Sequence, residues 1–378
     1  MLKLLHCADL HLDTPFCSRN AEQSEVRRRE LRETFTSLLQ YVKREEIALV
    51  LMAGDLFDST TVTRDTADFV AESFATVPSC RFVIAPGNHD PYTEGGIYAR
   101  TEFPSNVYIF TEPTWQSFSF PELNVTVYGY AFVKPQMEAC PFVGRIPDST
   151  ETINLLCAHG DVGNPLSPYC PISLKDIAAS GLDYIALGHV HYSEGLKKEG
   201  QTAYAYSGCL TGRDFGETGH KGALLIEIEK ERGLADVKAT GLRFSRRRYE
   251  DAELDVSGAA DNTVLQEKIR ALLTERGYGA DTLLRITLRG SVSPSLRPQV
   301  RVLKEAFESR LFYLEIEDAT LPLLDADALE NDPTIKGAFY KELRPRLEGG
   351  TPEERALASK ALRIGLAALY GEDFSEIE

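Results

Sequence analysis

Five short apolar runs in the first half of the chain each end in a polar turn that carries aspartate, asparagine or histidine. The length of these runs and the turns around them predict buried strands, which lie at 2–7, 47–53, 82–85, 153–158 and 184–187. The turns that follow read Asp9-x-His11, Gly54-Asp55, Gly87-Asn88-His89-Asp90, His159-Gly160-Asp161 and Gly188-His189-Val190-His191. Because ligands collect where the strands of an α/β sheet end, we expect these side chains to meet in one polar site.

The order of strand and helix patterns divides the 378 residues into three parts. Residues 1–249 alternate strands with helical patterns at 25–46 and 63–77, which is typical of an α/β layered domain. Further strands predict a second, partly antiparallel sheet, and they lie at 107–110, 125–130, 203–206 and 223–229. Residues 250–322 form a small domain of alternating strands and helices, in which Asn262 is the predicted N-cap of the first helix and Gly277 lies just past its end.

Residues 323–378 hold two amphipathic helices. The second begins at a capping box formed by Thr351, Pro352 and Glu354, and Gly371 marks its end. In the first, apolar side chains recur every four residues at Ile335, Phe339, Leu343 and Leu347. This stripe suits either another helix or the protein's own core.

Composition excludes several classes of protein. The chain has 41 Lys+Arg and 57 Asp+Glu, a net charge of −16, whereas a protein that binds duplex DNA usually shows a basic footprint. Two arginine clusters are predicted to be solvated faces, at Arg27, Arg28, Arg29 and Arg32 and at Arg243, Arg246, Arg247 and Arg248. No apolar run approaches the roughly 20 residues of a membrane span, and the first residues lack a signal-peptide pattern, so we expect a cytoplasmic protein. The seven cysteines contain no C-x-x-C pair, which predicts reduced thiols.

The donor atoms of the predicted site favour a pair of divalent ions. Two carboxylates, one amide and four imidazoles, with no thiolate, argue against structural zinc and favour Mn, with Fe as the alternative. Seven ligands exceed the needs of one ion, whereas two ions about 4 Å apart, bridged by a carboxylate and a hydroxide, would use them all. Such a centre would be cationic and would attract a phosphoryl group even on an acidic protein. The seven candidate ligands are Asp9, His11, Asp55, Asn88, His159, His189 and His191.

These motifs together resemble the calcineurin-like metallophosphoesterases. Cys7-Ala8-Asp9-Leu10-His11, Ala53-Gly54-Asp55-Leu56-Phe57-Asp58 and the stretch 207–222, with Gly212-Arg213 and Gly216-Glu217, are similar to the DNA-repair exonuclease branch, the SbcD-like and YhaO-like subunits. The resemblance covers residues 1–222 and implies a four-layer αββα sandwich. It also implies that 250–322 is a DNA-guiding capping domain and that the helical tail 323–378 binds a partner.

The resemblance assigns a role to each motif residue. Asp9, His11, Asp55 and His191 would hold one metal, while Asp55, Asn88, His159 and His189 would hold the second, with Asp55 as the bridge. His89 would remain unligated and would protonate the leaving oxygen, with Asp90 orienting its ring. The nucleophile would be a metal-bridging hydroxide that attacks phosphorus in line. Archaeal and eukaryotic relatives have a histidine where this chain has Asp58, which we leave without a role.

The leading hypothesis is therefore a Mn-dependent phosphoesterase that acts as a DNA exonuclease subunit of a repair complex. Its implied partners are DNA, which this chain alone would bind weakly, a coiled-coil ATPase subunit and a second copy of the chain; no membrane is expected. One alternative is a phosphodiesterase or phosphatase that acts on a small nucleotide or a phosphoprotein, which the acidic charge favours. The other is a non-catalytic, metal-stabilised scaffold, against which the pair His89 and Asp90 argues.

Overall fold

The computed structural model of the protein describes residues 1–16, 20–293, 296–323 and 326–370. Cys17, one of the seven cysteines, and Gly371, the predicted end of the last helix, lie outside these ranges. The chain divides into two compact units, Met1–Tyr249 and Glu250–Glu378. Within the described ranges, no helix combines the length and the hydrophobicity that crossing a bilayer requires.

The first unit contains strands, helices and one short 3-10 turn at Pro121–Leu123. Its strands are β1 (Leu2–Cys7), β2 (Leu49–Met52), β3 (Arg81–Ile84), β4 (Val107–Ile109), β5 (Gln116–Phe120), β6 (Val125–Gly129), β7 (Ile153–His159), β8 (Asp161–Val162), β9 (Pro171–Ile172), β10 (Tyr184–Gly188), β11 (Lys197–Glu199), β12 (Thr202–Tyr206), β13 (Gly222–Glu231) and β14 (Leu234–Arg243). Its helices are α1 (Ala21–Arg44), α2 (Arg64–Ala75), α3 (Ile97–Arg100) and α4 (Leu174–Ala179).

Two large mixed sheets form the first unit. Among the described residues, each has six strands, in the orders β14-β13-β1-β2-β3-β4 and β11-β12-β10-β7-β6-β5. The strands β1 to β4 run parallel, as do β6, β7, β10 and β12, and the antiparallel pairs lie toward the sheet edges. The prediction that 107–110 and 223–229 join the second sheet is wrong. Both segments belong to the first sheet, where β13 folds back to pair antiparallel with β1.

Alternating side chains of the strands build the layers. Leu5 of β1 and Val50 of β2 face helices α1 and α2, where Phe35 and Phe74 lie in the same cluster. Their neighbours Leu4 and Leu51 face the other way and pack against side chains of the second sheet, namely Val127, Leu155 and Ala186. The outer face of the second sheet packs against Ile177 of α4. The order is therefore helix, sheet, sheet, helix, and the predicted four-layer α/β core is confirmed.

The parallel strands place their carboxyl ends at a common edge of each sheet. β1, β2 and β3 end together in the first sheet, and β7 and β10 end together in the second. The two edges touch at Gly188, because a Cβ atom there would lie only 1.9 Å from the Ala53 carbonyl oxygen. Loops from both sheets therefore converge on one place.

The second unit begins with a three-stranded sheet in the order β15-β16-β17, with β16 and β17 parallel. Its elements are β15 (Arg248–Asp255), whose first two residues still belong to the first unit, α5 (Asn262–Arg276), β16 (Thr282–Val292), α6 (Val300–Phe307), a 3-10 turn at Glu308–Arg310 and β17 (Tyr313–Pro322). The N-cap of α5 is Asp261 rather than the predicted Asn262, because the Asp261 carboxylate accepts from the main-chain N–H of Thr263 and Val264. Gly277 ends α5 in the left-handed region, with φ 61°.

Helices α7 (Ala326–Asn331), α8 (Ile335–Gly349) and α9 (Pro352–Tyr370) complete the described residues. The Thr351–Glu354 capping box is confirmed: Thr351 N donates to Glu354 Oε2 at 2.8 Å, and Glu354 N donates to Thr351 Oγ1 at 3.2 Å. Most of the apolar stripe serves the protein's own core, because Phe339, Leu343 and Leu347 pack with residues of α7 and α9, whereas Ile335 is 68% exposed. A division of this unit into a capping domain and a partner-binding tail stays a prediction.

Candidate metal centre

Strained loops at the strand ends position the candidate ligands. Asp9, His11, Asp55 and His189 all have positive φ, of 52°, 46°, 51° and 105°, a conformation that costs a non-glycine residue about 1–3 kcal/mol. Main-chain hydrogen bonds hold two of these loops together: Asp9 N donates to Gly54 O at 3.0 Å, and His11 N donates to Asp55 O at 2.9 Å. The loops after β1 and β2 therefore form one rigid unit.

One group of side chains gathers around Asp9. Its Oδ1 lies 3.6 Å from His191 Nε2, which in turn lies 3.3 Å from His11 Nε2. The main-chain N–H of His189 donates to both carboxylate oxygens of Asp9, at 3.1 and 3.2 Å. Potential metal-binding atoms of Asp9, His11 and His191 all lie within 4.8 Å of one another.

A second group gathers around Asn88. Asn88 Oδ1 lies 2.8 Å from His159 Nε2 and 3.3 Å from His189 Nδ1. The other ring nitrogen of His159 donates to the carbonyl of Ala53 at 2.9 Å. His159 Nε2 is therefore the nitrogen that can accept, and it faces the cluster.

Asp55 lies between the two groups. Its Oδ2 is 3.8 Å from His11 Nε2 and 3.5 Å from His159 Nε2, while its Oδ1 accepts from the His89 N–H at 2.9 Å. The Asp55 carboxylate therefore lies close to a histidine of each group. All seven residues that the sequence predicts as ligands thus come together in the structure.

Burial sets the protonation of these groups. Burial raises the pKa of Asp9 well above its usual range, and the charge of Asp55 adds to the effect. For Asp55, burial alone would raise the pKa, but the imidazoles of His159, His11 and His89 outweigh it and lower the pKa. Burial lowers the pKa of His11 and of His189 to about 4. Both imidazoles are therefore neutral near neutral pH, which is the form that binds metals.

The residues present fit a divalent metal. Asp9 and Asp55 are each 1% exposed, and two carboxylates this deeply buried need a compensating cation. The neutral imidazoles around them offer nitrogen donors, and no thiolate takes part in either group. The mixed oxygen and nitrogen donors suit Mn or Fe better than a structural zinc ion.

His89 is exposed, and its ring lies edge-on to His11 with 4.8 Å between ring centres. The interpretation that Asp90 orients this ring differs from the structure. His89 Nδ1 instead contacts the main-chain oxygen of Asp58 at 3.0 Å.

The carboxylate of Asp90 is fully buried and holds the surrounding loops. It accepts from Phe57 N at 3.0 Å, Gly87 N at 2.8 Å and the Tyr98 hydroxyl at 2.5 Å. Burial raises its pKa to about 7. Asp90 therefore positions the Asn88–His89 turn and does not contact the imidazole of His89.

Three charged residues that the sequence analysis left without a role surround the histidines. Glu217 Oε1 lies 2.6 Å from His191 Nδ1, and Asp58 Oδ1 lies 3.3 Å from His11 Nδ1. Arg213 joins the two carboxylates: its Nη2 donates to Glu217 at 3.0 Å and its Nη1 donates to Asp58 at 3.2 Å. Burial alone would raise the pKa of Glu217. The hydrogen bond to His191 and the charge of Arg213 outweigh burial and hold this pKa well below its usual range. One guanidinium thus links the carboxylate that hydrogen-bonds to His191 with the carboxylate that lies beside His11.

The two arginine clusters are largely paired with acids. Arg27 is 1% exposed and donates to Glu30 at 3.2 Å, and Arg247 contacts the same carboxylate at 2.7 Å. Arg246 donates to Glu33 at 3.1 Å, and Arg32 contacts Asp65 at 2.7 Å. These clusters therefore hold α1 against the segment before β15, and Arg27 is not on the predicted solvated face.

Several known proteins are similar to this chain in sequence. The family model for calcineurin-like phosphoesterases matches residues 2–193, which include all seven candidate ligands. YhaO of Bacillus subtilis (strain 168), described as an uncharacterized metallophosphoesterase, is 29% identical over 349 residues, covering 88% of this chain and 83% of its own length. The DNA double-strand break repair protein Mre11 of Methanopyrus kandleri is 22% identical, covering 71% of this chain and 62% of its own length. A subunit of the nuclease SbcCD of Staphylococcus epidermidis is 20% identical, covering 71% of this chain and 75% of its own.

Proposed function

The chain belongs to the calcineurin-like phosphoesterase family, and on that premise we propose that it is a Mn-dependent DNA exonuclease subunit with a binuclear metal centre. Family membership supports a phosphoester hydrolase that uses divalent metal ions. Relatives named as a DNA double-strand break repair protein and as a nuclease subunit favour DNA as the substrate.

The observation that carries the proposal is the position of Asp55. Its carboxylate lies between His11 on one side and His159 on the other, at 3.8 and 3.5 Å. A single ion would leave one of the two groups without a role. Asp9, His11 and His191 would hold one ion, Asn88, His159 and His189 would hold the other, and Asp55 would bind both.

Residues around the proposed metal centre would donate a proton and position the ligands. When bound, the two ions lower the pKa of water and neutralise charge on the phosphoryl oxygens. His89 is exposed beside this centre, where its imidazole can donate a proton to the leaving oxygen. Glu217 and Arg213 keep His191 in orientation, Asp58 places its charge beside His11, and Asp90 keeps the Asn88–His89 turn in place.

The acidic charge of the chain favours a partner for DNA binding. With a net charge of −16 and its arginine clusters paired to acids, this chain offers little counterion release on binding DNA. A coiled-coil ATPase subunit with a basic surface, which the resemblance to nuclease subunits implies, would supply the missing cations. The second unit is the candidate region for contacts with that partner and with DNA.

Rates on three substrates test the proposal. We expect Mn²⁺-dependent hydrolysis of a linear duplex to be faster than that of a cyclic nucleotide or an aryl monoester. Asp55→Ala should abolish turnover, whereas Asp236→Ala, at an exposed carboxylate of β14, should retain it. Rapid turnover of either small ester without DNA cleavage would instead support a small-molecule phosphodiesterase or phosphatase, which the acidic charge also suits.

A further inference from the structure

Two cysteines of the first unit meet beneath the candidate metal centre. Cys170 Sγ donates to the Tyr130 hydroxyl oxygen at 3.0 Å, and Cys140 Sγ reaches the same oxygen at 3.9 Å. Both sulfur atoms therefore contact the same hydroxyl oxygen. Cys140 is half-buried, whereas Cys170 is buried.

The main chain already joins the segments that carry these cysteines. Met137 pairs with Tyr169 in an isolated parallel bridge. Cys170 N donates to Met137 O at 2.6 Å, and Met137 N donates to Pro168 O at 2.8 Å. The two segments are therefore hydrogen-bonded to each other, and the sulfurs lie 3.0 and 3.9 Å from one hydroxyl oxygen, a proximity that favours a disulfide.

Cys140 differs from the other described cysteines in accessibility and in acidity, whereas Cys170 is buried and its pKa is raised. Cys7, Cys80, Cys157 and Cys209 are buried, and burial raises the pKa of each thiol. Burial alone would also raise the pKa of Cys140, but polar groups around its sulfur lower it. Because the thiolate is the reactive form of cysteine, Cys140 is the thiol that an oxidant would meet first.

This segment also touches two candidate metal ligands. The Tyr130 hydroxyl donates to the His159 carbonyl at 3.2 Å, and the Tyr169 ring lies 4.8 Å from the His189 ring. A Cβ atom on Gly160, the residue after His159, would lie 2.7 Å from the Cys170 carbonyl oxygen. A movement of Cys170 would therefore also displace residues that contact His159 and His189.

We propose that Cys140 and Cys170 form a reversible redox pair, in which peroxide closes a disulfide that weakens metal binding by His159 and His189. Formation of the disulfide does not depend on the proposed metal centre, whereas its effect on metal binding rests on that centre. Cysteine pairs that switch in this way are usually transient sensors rather than structural crosslinks.

The reaction balances with one peroxide molecule. The Cys140 thiolate attacks one oxygen of hydrogen peroxide, and the O–O bond breaks. The other oxygen departs as hydroxide, which takes up a proton to become water, and Cys140 is left as a sulfenic acid. The Cys170 sulfur then attacks the Cys140 sulfur, an S–S bond replaces the S–O bond, and the second water departs. Two thiols are oxidised, and one hydrogen peroxide is reduced to two waters.

Peptide mapping and metal titration of the full chain test this proposal. After treatment with hydrogen peroxide, we expect a Cys140–Cys170 crosslinked peptide in a non-reducing map, which a dithiol reductant reverses. Isothermal titration should show Mn²⁺ affinity at least about tenfold weaker in the oxidised protein, in line with the usual effect of disturbing groups behind metal ligands. Cys140→Ser, at the half-buried position, should show neither change, whereas Cys80→Ala should behave as the unaltered protein does.

Two outcomes would overturn the proposal. One is oxidation of Cys140 to the sulfinic acid with no crosslink, and the other is a crosslink that leaves Mn²⁺ affinity unchanged. If Cys140→Ser does not fold, Cys140→Ala serves in its place. A reduced protein that binds no Mn²⁺ would contradict the proposed metal centre instead, and the peptide map would still decide whether the disulfide forms.

Discussion

His89 differs from the candidate ligand histidines in its surroundings. Its ring is exposed and contacts a main-chain oxygen, whereas His11 and His159 are fully buried among ligand atoms. His6 shows a third environment: it bonds to the Tyr184 hydroxyl and the Leu187 carbonyl, and burial lowers its pKa to about 3. A histidine can therefore be buried in this protein for structural reasons, and it is the side chains around each ring that distinguish the roles.

Replacing His89 separates catalysis from metal binding. His89→Ala should lower kcat by about 10²–10⁴-fold, the usual contribution of a positioned general acid. Metal content and melting temperature should stay nearly unchanged, because the imidazole is exposed and lies outside both ligand groups. His220→Ala, at an exposed loop histidine, is the control. Loss of metal and of fold in His89→Ala would favour a non-catalytic scaffold.

The charged residues behind the ligands depend on partners that are distant in the sequence. Glu217 lies 26 positions from His191, and Arg213 lies 155 positions from Asp58. At position 58, where the resemblance implies a histidine in archaeal and eukaryotic relatives only, the structure shows what the aspartate of this chain contacts. An acid at this position can face both His11 Nδ1 and the Arg213 guanidinium, which a protonated imidazole could not do without electrostatic repulsion.

At the level of elements, tight loops rather than long helices position the site. The turn after β3 packs directly on the turn after β2: a Cβ atom on Gly87 would lie 2.2 Å from Asp55 Oδ1 and 2.7 Å from Asp55 N. Glycine is therefore required at this position, because any side chain would displace the carboxylate between the two ligand groups.

Substitution of this glycine tests the close approach. Gly87→Ala should destabilise the protein by about 1–3 kcal/mol, as overpacking usually does, and should weaken Mn²⁺ binding measured by titration. Gly95→Ala is a matched control eight positions along the chain, since a Cβ atom there would meet nothing within 4 Å. Equal melting temperatures and equal Mn²⁺ affinities for the two variants would contradict this packing.

At the level of the whole molecule, net charge bears on how the proposed metal centre would reach DNA. The cationic centre proposed here lies in a chain with a net charge of −16, so local attraction at the site opposes repulsion over the rest of the surface. An acidic enzyme can still act on DNA when a second subunit brings the strand to it.

The affinity of this chain alone for duplex DNA tests whether a second subunit is needed to bind the DNA. We expect weak binding, in or above the range of about 10⁻⁶–10⁻⁴ M that is typical of non-specific binding, with a shallow dependence on salt. Fluorescence anisotropy of a labelled duplex across a salt series would measure both quantities. Tight binding with a steep slope would show that the chain carries its own DNA-binding surface and would contradict the need for a basic partner.

Most of the sheet strands and the candidate ligands could be predicted from local sequence. Each ligand motif directly follows an apolar run, so strand and turn are encoded within about ten neighbouring residues. Assignment of strands to sheets could not be read in this way. Nothing local in 223–229 shows that this strand folds back beside β1, because that pairing depends on contacts more than 200 positions apart.

The sequence by itself determined which side chains collect at the ends of the strands, since parallel strands carry their following turns to a common edge. Only the tertiary structure decided which residues contact these side chains from outside the candidate metal centre. In the structure, Glu217 hydrogen-bonds to His191, and Arg213 donates to Asp58. The Asp90 carboxylate accepts from Phe57, Gly87 and Tyr98. Cys140 and Cys170 contact the same hydroxyl oxygen. The physical reason is that hydrogen bonds between distant segments depend on distances of a few ångströms, which local patterns of hydrophobicity do not specify.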